Sequence, residues 1–198
     1  MPAAAGHRGP LAPTPAQTIG PFFGHALPFP GGARIAPDGH PDTLTVHGHV
    51  RDGTGAPVAD ALLEFWQPGP DGRPPREPGS LRRDGTRFTG FGRVPTDADG
   101  HYALHTRRPA APAGRPDAAP HLAVIVHARG LLHHLFTRAY FPEHTAAHAA
   151  DPLLSTLPPK RAATLLARPD GPARYRFDVQ LQQPPNGTPE ETVFLAFR

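Results

Sequence analysis

The sequence predicts a mostly β protein, an antiparallel β-sandwich with an N-terminal arm and one or two short helices. Three observations lead to this fold class. The 198 residues include 29 prolines and 21 glycines, a composition that breaks long helices and favours short strands joined by turns. Several segments alternate apolar and polar residues, which is the period of a half-buried strand. Turn-forming residues separate these segments at short intervals, as they do in sandwiches.

The chain length fits one hydrophobic core. Residues 1–13 are small, proline-rich and without pattern, so we expect a disordered N-terminal tail. Residues 14–198 are predicted to form a single sandwich domain. This domain includes the N-terminal arm (residues 14–23), which has two aromatic residues after a Gly-Pro pair and no hydrophobic period of its own. We expect the arm to dock on another surface.

Alternation and turn residues place the individual elements. The predicted strands are 43–51, 58–66, 88–94, a strand carrying Tyr102 and Leu104, 121–128, 131–141, 175–181 and 192–197. The segment 121–128 is apolar enough for a central strand buried on both faces. Short helices are expected at 151–157 and 159–163, where helix-start residues precede short apolar spacings.

Composition also excludes several classes of function. The absence of cysteine removes disulfides, thiolate metal sites and thiol nucleophiles, and favours a reducing, cytoplasmic location. No apolar run has the length of a signal peptide or a membrane span. The net charge of +3 comes from scattered arginines without a basic stripe, which disfavours nucleic-acid binding.

Thirteen histidines raise the question of a metal site. His47 and His49 share one face of the first strand and could chelate an ion, but no third donor is tied to them by spacing. A solvated strand face is the alternative. Asp97 and Asp99 resemble part of a calcium loop without its closing glutamate, and a turn is the simpler interpretation. Phosphate-binding loops and the Gly-x-Ser-x-Gly motif of acyl-transfer enzymes are absent.

A group of short motifs resembles one known family in order along the chain. The segments are 14–23 (TPAQTIGPFF), 91–93 (FGR) with 96–100 (TDADG), 120–121 (PH), 128–130 (ARG), 137–141 (TRAYF), 175–178 (YRFD) and 191–194 (ETVF). Together they resemble the intradiol ring-cleavage dioxygenase family, and within it the α chains that act on protocatechuate. The resemblance extends from Thr14 to the end of the chain.

The resemblance implies a non-heme Fe(III) enzyme in which two tyrosines and two histidines hold the metal. In iron-binding chains of the family one ligand segment reads Arg-Pro-x-His-x-His. Here His121 matches the first histidine, whereas Ala123 replaces the second, and the positions expected for the tyrosines lie near Ser80 and Pro112. The resemblance therefore implies that His121 is a vestigial ligand position, that this chain binds no metal and has no catalytic residue of its own, and that a partner β subunit holds the iron.

The same resemblance implies that this chain is part of an αβ hetero-oligomer. This assembly would convert protocatechuate and O₂ to 3-carboxy-cis,cis-muconate in the β-ketoadipate pathway of aromatic catabolism. Thr18, Gly20 and Pro21 of the arm would form part of the wall around the partner's iron and substrate. Arg129 would lie close enough to attract the substrate carboxylate.

Two alternatives remain open at this point. A stand-alone transthyretin-like binding module would share the sandwich without needing a docking arm. A self-sufficient intradiol enzyme would require iron in this chain alone.

Overall fold

The computed structural model describes residue 20 and residues 22–76 and 81–196. Nine strands and three short helices lie in this part of the chain. The strands are β1 Thr43–Arg51, β2 Leu62–Trp66, β3 Phe91–Pro95, β4 His101–Arg107, β5 His121–His127, β6 Leu135–Tyr140, β7 Arg168–Pro169, β8 Arg174–Arg176 and β9 Val179–Gln180. The helices are α1 Phe23–Ala26, α2 Thr145–Ala150 and α3 Pro159–Ala163, with a 3₁₀ turn at Leu154–Thr156.

Two sheets pack face to face, so the predicted sandwich is confirmed. One sheet has the order β4-β1-β8-β7, with β9 also pairing β1, and the other has the order β3-β2-β5-β6. The strand pairs are antiparallel except that β1 runs parallel to both β8 and β9. Alternating residues of both sheets fill the core between them, among them Val46, Phe65, Leu104, Leu122 and Val124.

The first strand is the one that the sequence predicts best, because β1 has the predicted bounds. Its core-facing side carries Val46, Gly48 and Val50, as the alternation indicates. Gly48 has a further role in packing. A Cβ atom at this position would lie only 2.0 Å from the carbonyl oxygen of Phe177, so only glycine lets the link between β8 and β9 approach β1 this closely.

Other predicted strands are shorter than expected because side chains replace ladder hydrogen bonds. Residues 58–61 precede β2 and are held by the Thr96 hydroxyl, which donates to the carbonyl of Val58 and accepts from the N–H of Ala61. The predicted strand 175–181 is divided into β8 and β9, because the Asp178 carboxylate accepts the N–H of His49 in place of a backbone carbonyl.

The predictions near the C-terminus also need correction. Of the short helix expected at 151–157, only Leu154–Thr156 is helical, as a 3₁₀ turn; α2 precedes it unpredicted, and α3 has the expected bounds. The segment 192–196 forms no regular strand and contributes a single bridge between Leu195 and Phe136. Residue 197 of that prediction lies outside the described part of the chain. No helix in the described ranges is long and apolar enough to cross a membrane.

Candidate functional site

The side of the four-stranded sheet that faces away from the core is called here the outer face. His121 and Ala123 of β5 lie on it, since strand alternation turns Leu122 into the core. The expectation that this strand is buried on both faces is therefore wrong, because only its core-facing side is fully buried. Ala123 pairs with Trp66 of β2, and His121 pairs with Tyr140 of β6. Trp66, the only tryptophan of the chain, is 49% exposed. An apolar side chain of this size in partial contact with solvent marks the outer face as a candidate interaction surface.

His121 can offer at most one ligand atom. Burial lowers the pKa of His121 to about 4, even though the nearby carbonyl of Ala119 opposes this shift. The imidazole is therefore neutral at pH 7, and its Nδ1 lies 2.8 Å from the Ala119 oxygen, to which it must donate. Only Nε2 is left to act as an acceptor or a ligand.

Each of the three tyrosines uses its hydroxyl inside the protein. The hydroxyl of Tyr102 donates to the Phe177 carbonyl at 2.5 Å, and that of Tyr175 donates to Glu143. The hydroxyl of Tyr140 donates to Asp151 at 3.2 Å. Burial raises the pKa of all three phenols, to about 12 for Tyr140. A phenolate ligand is therefore disfavoured at every tyrosine of the chain.

Asp151 is the polar centre of the region around His121, and sequence reasoning noticed it only as a possible helix start. The carboxylate is completely buried. One oxygen accepts the N–H of Ala119 at 2.9 Å, and the other accepts the N–H groups of Leu153 and Leu154 and the hydroxyl of Tyr140. Asp151 thus joins the start of β5 to the 3₁₀ turn. Only the tertiary structure could reveal this role, since the partners lie up to 32 residues away.

These residues do not fit the iron site that the family implies. Around His121 the second imidazole is replaced by the methyl group of Ala123, and Tyr140 is held by Asp151 and by Arg138, which donates to its hydroxyl at 3.1 Å. Among the described residues, no three His, Asp or Glu side chains are arranged to hold a metal ion. A hard trivalent cation needs several anionic oxygen donors, and the carboxylate of this region, Asp151, already has both oxygens occupied by hydrogen bonds within the chain.

The histidine pair of β1 lies on the opposite sheet and belongs to a separate cluster. His101 of β4 lies between the two, with ring centroids 5.7 Å from His47 and 5.1 Å from His49. His47 is buried, and its Nε2 lies 2.7 Å from the carboxylate of Asp170. Burial lowers the pKa of His49. The expectation of a solvated strand face is wrong for His47, because His101 and Asp170 cover it.

Arg129 and Gly20 are the predicted substrate-wall residues within the described ranges. Arg129 follows β5, is exposed, and forms an ion pair with Asp60 at 2.5 Å. Gly20 has φ +83°, a conformation that favours glycine, and a Cβ there would meet no atom within 4 Å. Thr18, Pro21, Ser80 and the predicted tail 1–13 lie outside the described residues.

The beginning of the described chain lies near the Arg129 end of β5. Phe23 of α1 is buried, and its ring lies 6.1 Å from that of His127, the last residue of β5. His121 and His127 are six residues apart on one strand, so roughly 20 Å separates them. Arg129 follows His127, which places Arg129 far from His121. A single copy of this chain therefore does not bring Arg129 and His121 into one site.

A large open cleft of about 940 Å³ lies away from the His121 region, between residues 28–38 and 83–89. Its arginines are engaged within the chain. Arg34 pairs with Asp38 at 3.3 Å, and Arg83 donates to the Phe91 carbonyl while its guanidinium lies 4.9 Å from the centre of the Phe29 ring. The contacts of Arg83 leave its buried Nε and Nη1 atoms without a hydrogen-bond partner among the described residues.

Comparisons with known proteins agree with the fold and with the family that the sequence resembles. A family model described as Dioxygenase matches residues 19–183. The chain is 41% identical to the protocatechuate 3,4-dioxygenase alpha chain of Burkholderia cepacia, over 93% of this chain and 98% of the relative. It is 36% identical to the alpha chain of the same name from Pseudomonas putida, over 94% of this chain and 98% of the relative.

Solved structures give the same result. The dioxygenase domain of a carbohydrate-binding fusion protein from Streptomyces sp. SirexAA-E has a TM-score of 0.58 at 30% identity, covering 87% of this chain and 99% of that domain. An intradiol ring-cleavage dioxygenase from Tetranychus urticae shares the fold with a TM-score of 0.57 at 18% identity, over 75% of this chain and 84% of that one. With the sandwich, the motif order and the family match all in agreement, the chain belongs to the intradiol ring-cleaving dioxygenase family.

Proposed function

We propose that this chain is the α subunit of a cytoplasmic protocatechuate 3,4-dioxygenase, and that it binds no iron itself. A β subunit of the same family would hold the non-heme Fe(III) and pair with this chain in an αβ hetero-oligomer. The assembled enzyme would cleave protocatechuate with O₂ to 3-carboxy-cis,cis-muconate. Two relatives that match over nearly their full length carry the alpha-chain name, which supports this assignment.

The observation that carries the proposal is the state of the outer face around His121. One neutral imidazole lies beside an alanine, and the nearest phenol is committed to a buried carboxylate. A chain of this family that cannot assemble the ligand set has to act through a partner that can. The half-exposed Trp66 on the same face supports the expectation that another chain covers it.

We propose that Gly20, with Thr18 and Pro21, and Arg129 contribute to the wall of the partner's site. Support comes from the placement of α1, because Phe23 packs beside His127 and so brings the start of the described chain to the end of β5 that Arg129 follows. Arg129 is exposed and carries a permanent positive charge. The chemical role proposed for it is attraction of the substrate carboxylate by a charge-assisted hydrogen bond.

Arg129→Ala is expected to raise the KM of the αβ enzyme for protocatechuate by roughly tenfold, with a smaller effect on kcat. A charge-assisted hydrogen bond at a partly solvated site accounts for a factor of about this size. Steady-state oxygen uptake by the co-purified pair measures both constants. Arg115→Ala is the matched control, since Arg115 is an exposed arginine that pairs with Asp117 at 3.2 Å in a different loop, and it should leave KM unchanged.

A comparison of two substrates distinguishes loss of a contact with the substrate carboxylate from a general disturbance of the enzyme. The Arg129→Ala enzyme should lose its preference for protocatechuate over catechol, which lacks the carboxylate. An intact pair in which Arg129→Ala leaves the protocatechuate KM at the parental value would refute the role of Arg129.

The proposed function is tested by measuring iron content and protocatechuate-dependent oxygen uptake for this chain alone and for this chain co-expressed with a candidate β chain. We expect both quantities to appear only in the pair. Stoichiometric iron together with oxygen uptake in the lone chain would show a self-sufficient enzyme and would overturn the proposal.

A further inference from the structure

Arg93 of β3 makes an unusual set of contacts on the outer face. Its side chain is only 16% exposed. The Nε and Nη2 atoms lie 2.7 and 2.6 Å from one carboxylate oxygen of Glu64, its cross-strand neighbour on β2. Interaction with His127 and with the guanidinium holds the pKa of Glu64 below its ordinary value, against the opposing effect of burial. The two charges are therefore buried as a pair.

The remaining nitrogen of the same guanidinium reaches the beginning of the described chain. Nη1 donates to the carbonyl of Leu27 at 2.7 Å, directly after the last residue of α1. The backbone N–H of Arg93 donates to the carbonyl of Gly32 at 2.9 Å. Arg93 thus connects the segment 27–32 to the sheet at two points.

The position of α1 depends on such contacts because the helix cannot hold itself. It has four residues and no side-chain cap at its N-terminus, far below the length at which an isolated helix is stable. Phe23 supplies an apolar contact with His127, and Arg93 supplies the polar one at Leu27. These two contacts fix the position of α1 against the sheet.

We propose that Arg93 is a positioning residue for the reaction at the partner's site, acting by holding α1 against the sheet and thereby fixing where the N-terminal arm leaves it. The inference rests on the proposed function, because it assumes that the arm forms part of the partner's substrate wall. Arg93 touches no substrate. Its effect passes through Leu27 and α1.

Arg93→Lys in the co-purified pair is the first test. A lysine keeps the positive charge beside Glu64, but its single ammonium group cannot make the planar set of contacts to both Glu64 and the Leu27 carbonyl. We expect KM for protocatechuate to rise about tenfold with kcat changed less than twofold, because a displaced wall weakens ground-state and transition-state binding equally. The iron content of the pair should not change.

Arg108→Lys is the matched control. Arg108 also pairs with a carboxylate and contacts a second group, Glu143 at 3.0 Å and the hydroxyl of Tyr175 at 2.8 Å, but it makes no contact with α1. It should leave KM unchanged. A second variant, Arg93→Gln with Glu64→Gln, removes both charges without leaving either one buried and unpaired, and should raise KM as Arg93→Lys does.

Two readouts distinguish positioning from general destabilisation. Hydrogen exchange in the intact pair should become faster for the backbone of residues 23–32 in Arg93→Lys and stay unchanged for β5. In a pair whose α chain lacks residues 1–21, and with them Thr18, Gly20 and Pro21, Arg93→Lys should have no further effect on KM, since sites that act through one element are not additive.

The outcomes separate this inference from the proposed function. An active parental pair whose KM is unaltered by both Arg93 variants would overturn the positioning role and leave the proposed function standing. A KM increase of the same size in the truncated chain would also overturn it, because the effect would not pass through the arm. A parental pair without oxygen uptake would overturn both.

Discussion

Asp151→Ala is expected to lower the free energy of unfolding of this chain by about 3–5 kcal/mol. The substitution leaves the N–H groups of Ala119 and Leu154 and the hydroxyl of Tyr140 without their acceptor. Each unsatisfied buried group costs about 1–3 kcal/mol, and part of this cost is recovered when water enters. Urea unfolding of parent and variant under the same conditions measures the difference.

Asp151→Asn tests the charge of the same residue through the pH dependence of the free energy of unfolding. Burial by itself raises the pKa of Asp151, but the N–H groups of Ala119, Leu154 and Leu153 outweigh burial and hold the pKa below its ordinary value. A carboxyl group whose pKa is depressed by folding adds stability above its unfolded pKa of about 3.9 and loses that contribution as the pH falls through the folded value.

The stability difference between parent and Asp151→Asn should therefore be constant near neutral pH and shrink below about pH 4. Asp117→Asn is the control, because Asp117 is an exposed carboxylate that pairs with Arg115 in a loop, and such a surface substitution should leave the stability of the chain nearly unchanged. An Asp151→Ala variant with the same free energy of unfolding as the parent would show that the carboxylate does not hold β5 and the 3₁₀ turn together.

Gly48→Ala is the second substitution with a large expected effect. Its Cβ would lie 2.0 Å from the Phe177 carbonyl oxygen and 2.6 Å from the carbonyl carbon, and backbone atoms cannot move aside as a flexible side chain can. The hydroxyl of Tyr102 donates to the same oxygen, so a displaced Phe177 loses that hydrogen bond too. We expect a loss of about 3 kcal/mol or more in urea unfolding.

Gly24→Ala is the control for the change at Gly48. Gly24 lies within α1, and a Cβ there meets no atom within 4 Å. Alanine has the higher helix propensity, so this variant should be neutral or stabilising by less than about 1 kcal/mol. Equal stabilities of the Gly48→Ala protein and its parent would contradict the close approach of Phe177 to β1.

The sequence was most informative for β1, in which apolar or small residues alternate with polar ones. The bounds of β1 and its core-facing side follow from this pattern alone, whereas the burial of His47 on the other side does not. The division between β8 and β9 could not be predicted, because it depends on Asp178 accepting a hydrogen bond from His49, 129 residues away. The parallel pairing of β1 with β8 and β9 could not be predicted either, because strand periodicity carries no information about which strands pair.

The site was predicted from resemblance more than from pattern. The replacement of a histidine by Ala123 is visible in the sequence, and it identified the region around His121 before any geometry. The hydrogen bond from the Tyr140 hydroxyl to Asp151 could not be predicted from the sequence, because it depends on how α2 and the 3₁₀ turn fold back on β6. Arg93 belongs to the FGR motif, which carried the resemblance, but its contact with Leu27 is 66 residues distant and required the fold.

The iron content of the αβ pair carrying His121→Gln tests the central claim most directly, because His121 is the residue that the sequence resemblance assigns to a ligand position of the family. Glutamine can still donate to the Ala119 carbonyl, so the local fold is retained. The account predicts the same iron stoichiometry and the same visible absorption as the parental pair, because the partner alone holds the metal. Loss of iron in proportion to the amount of the His121→Gln chain would contradict the account and would place an iron ligand in this subunit.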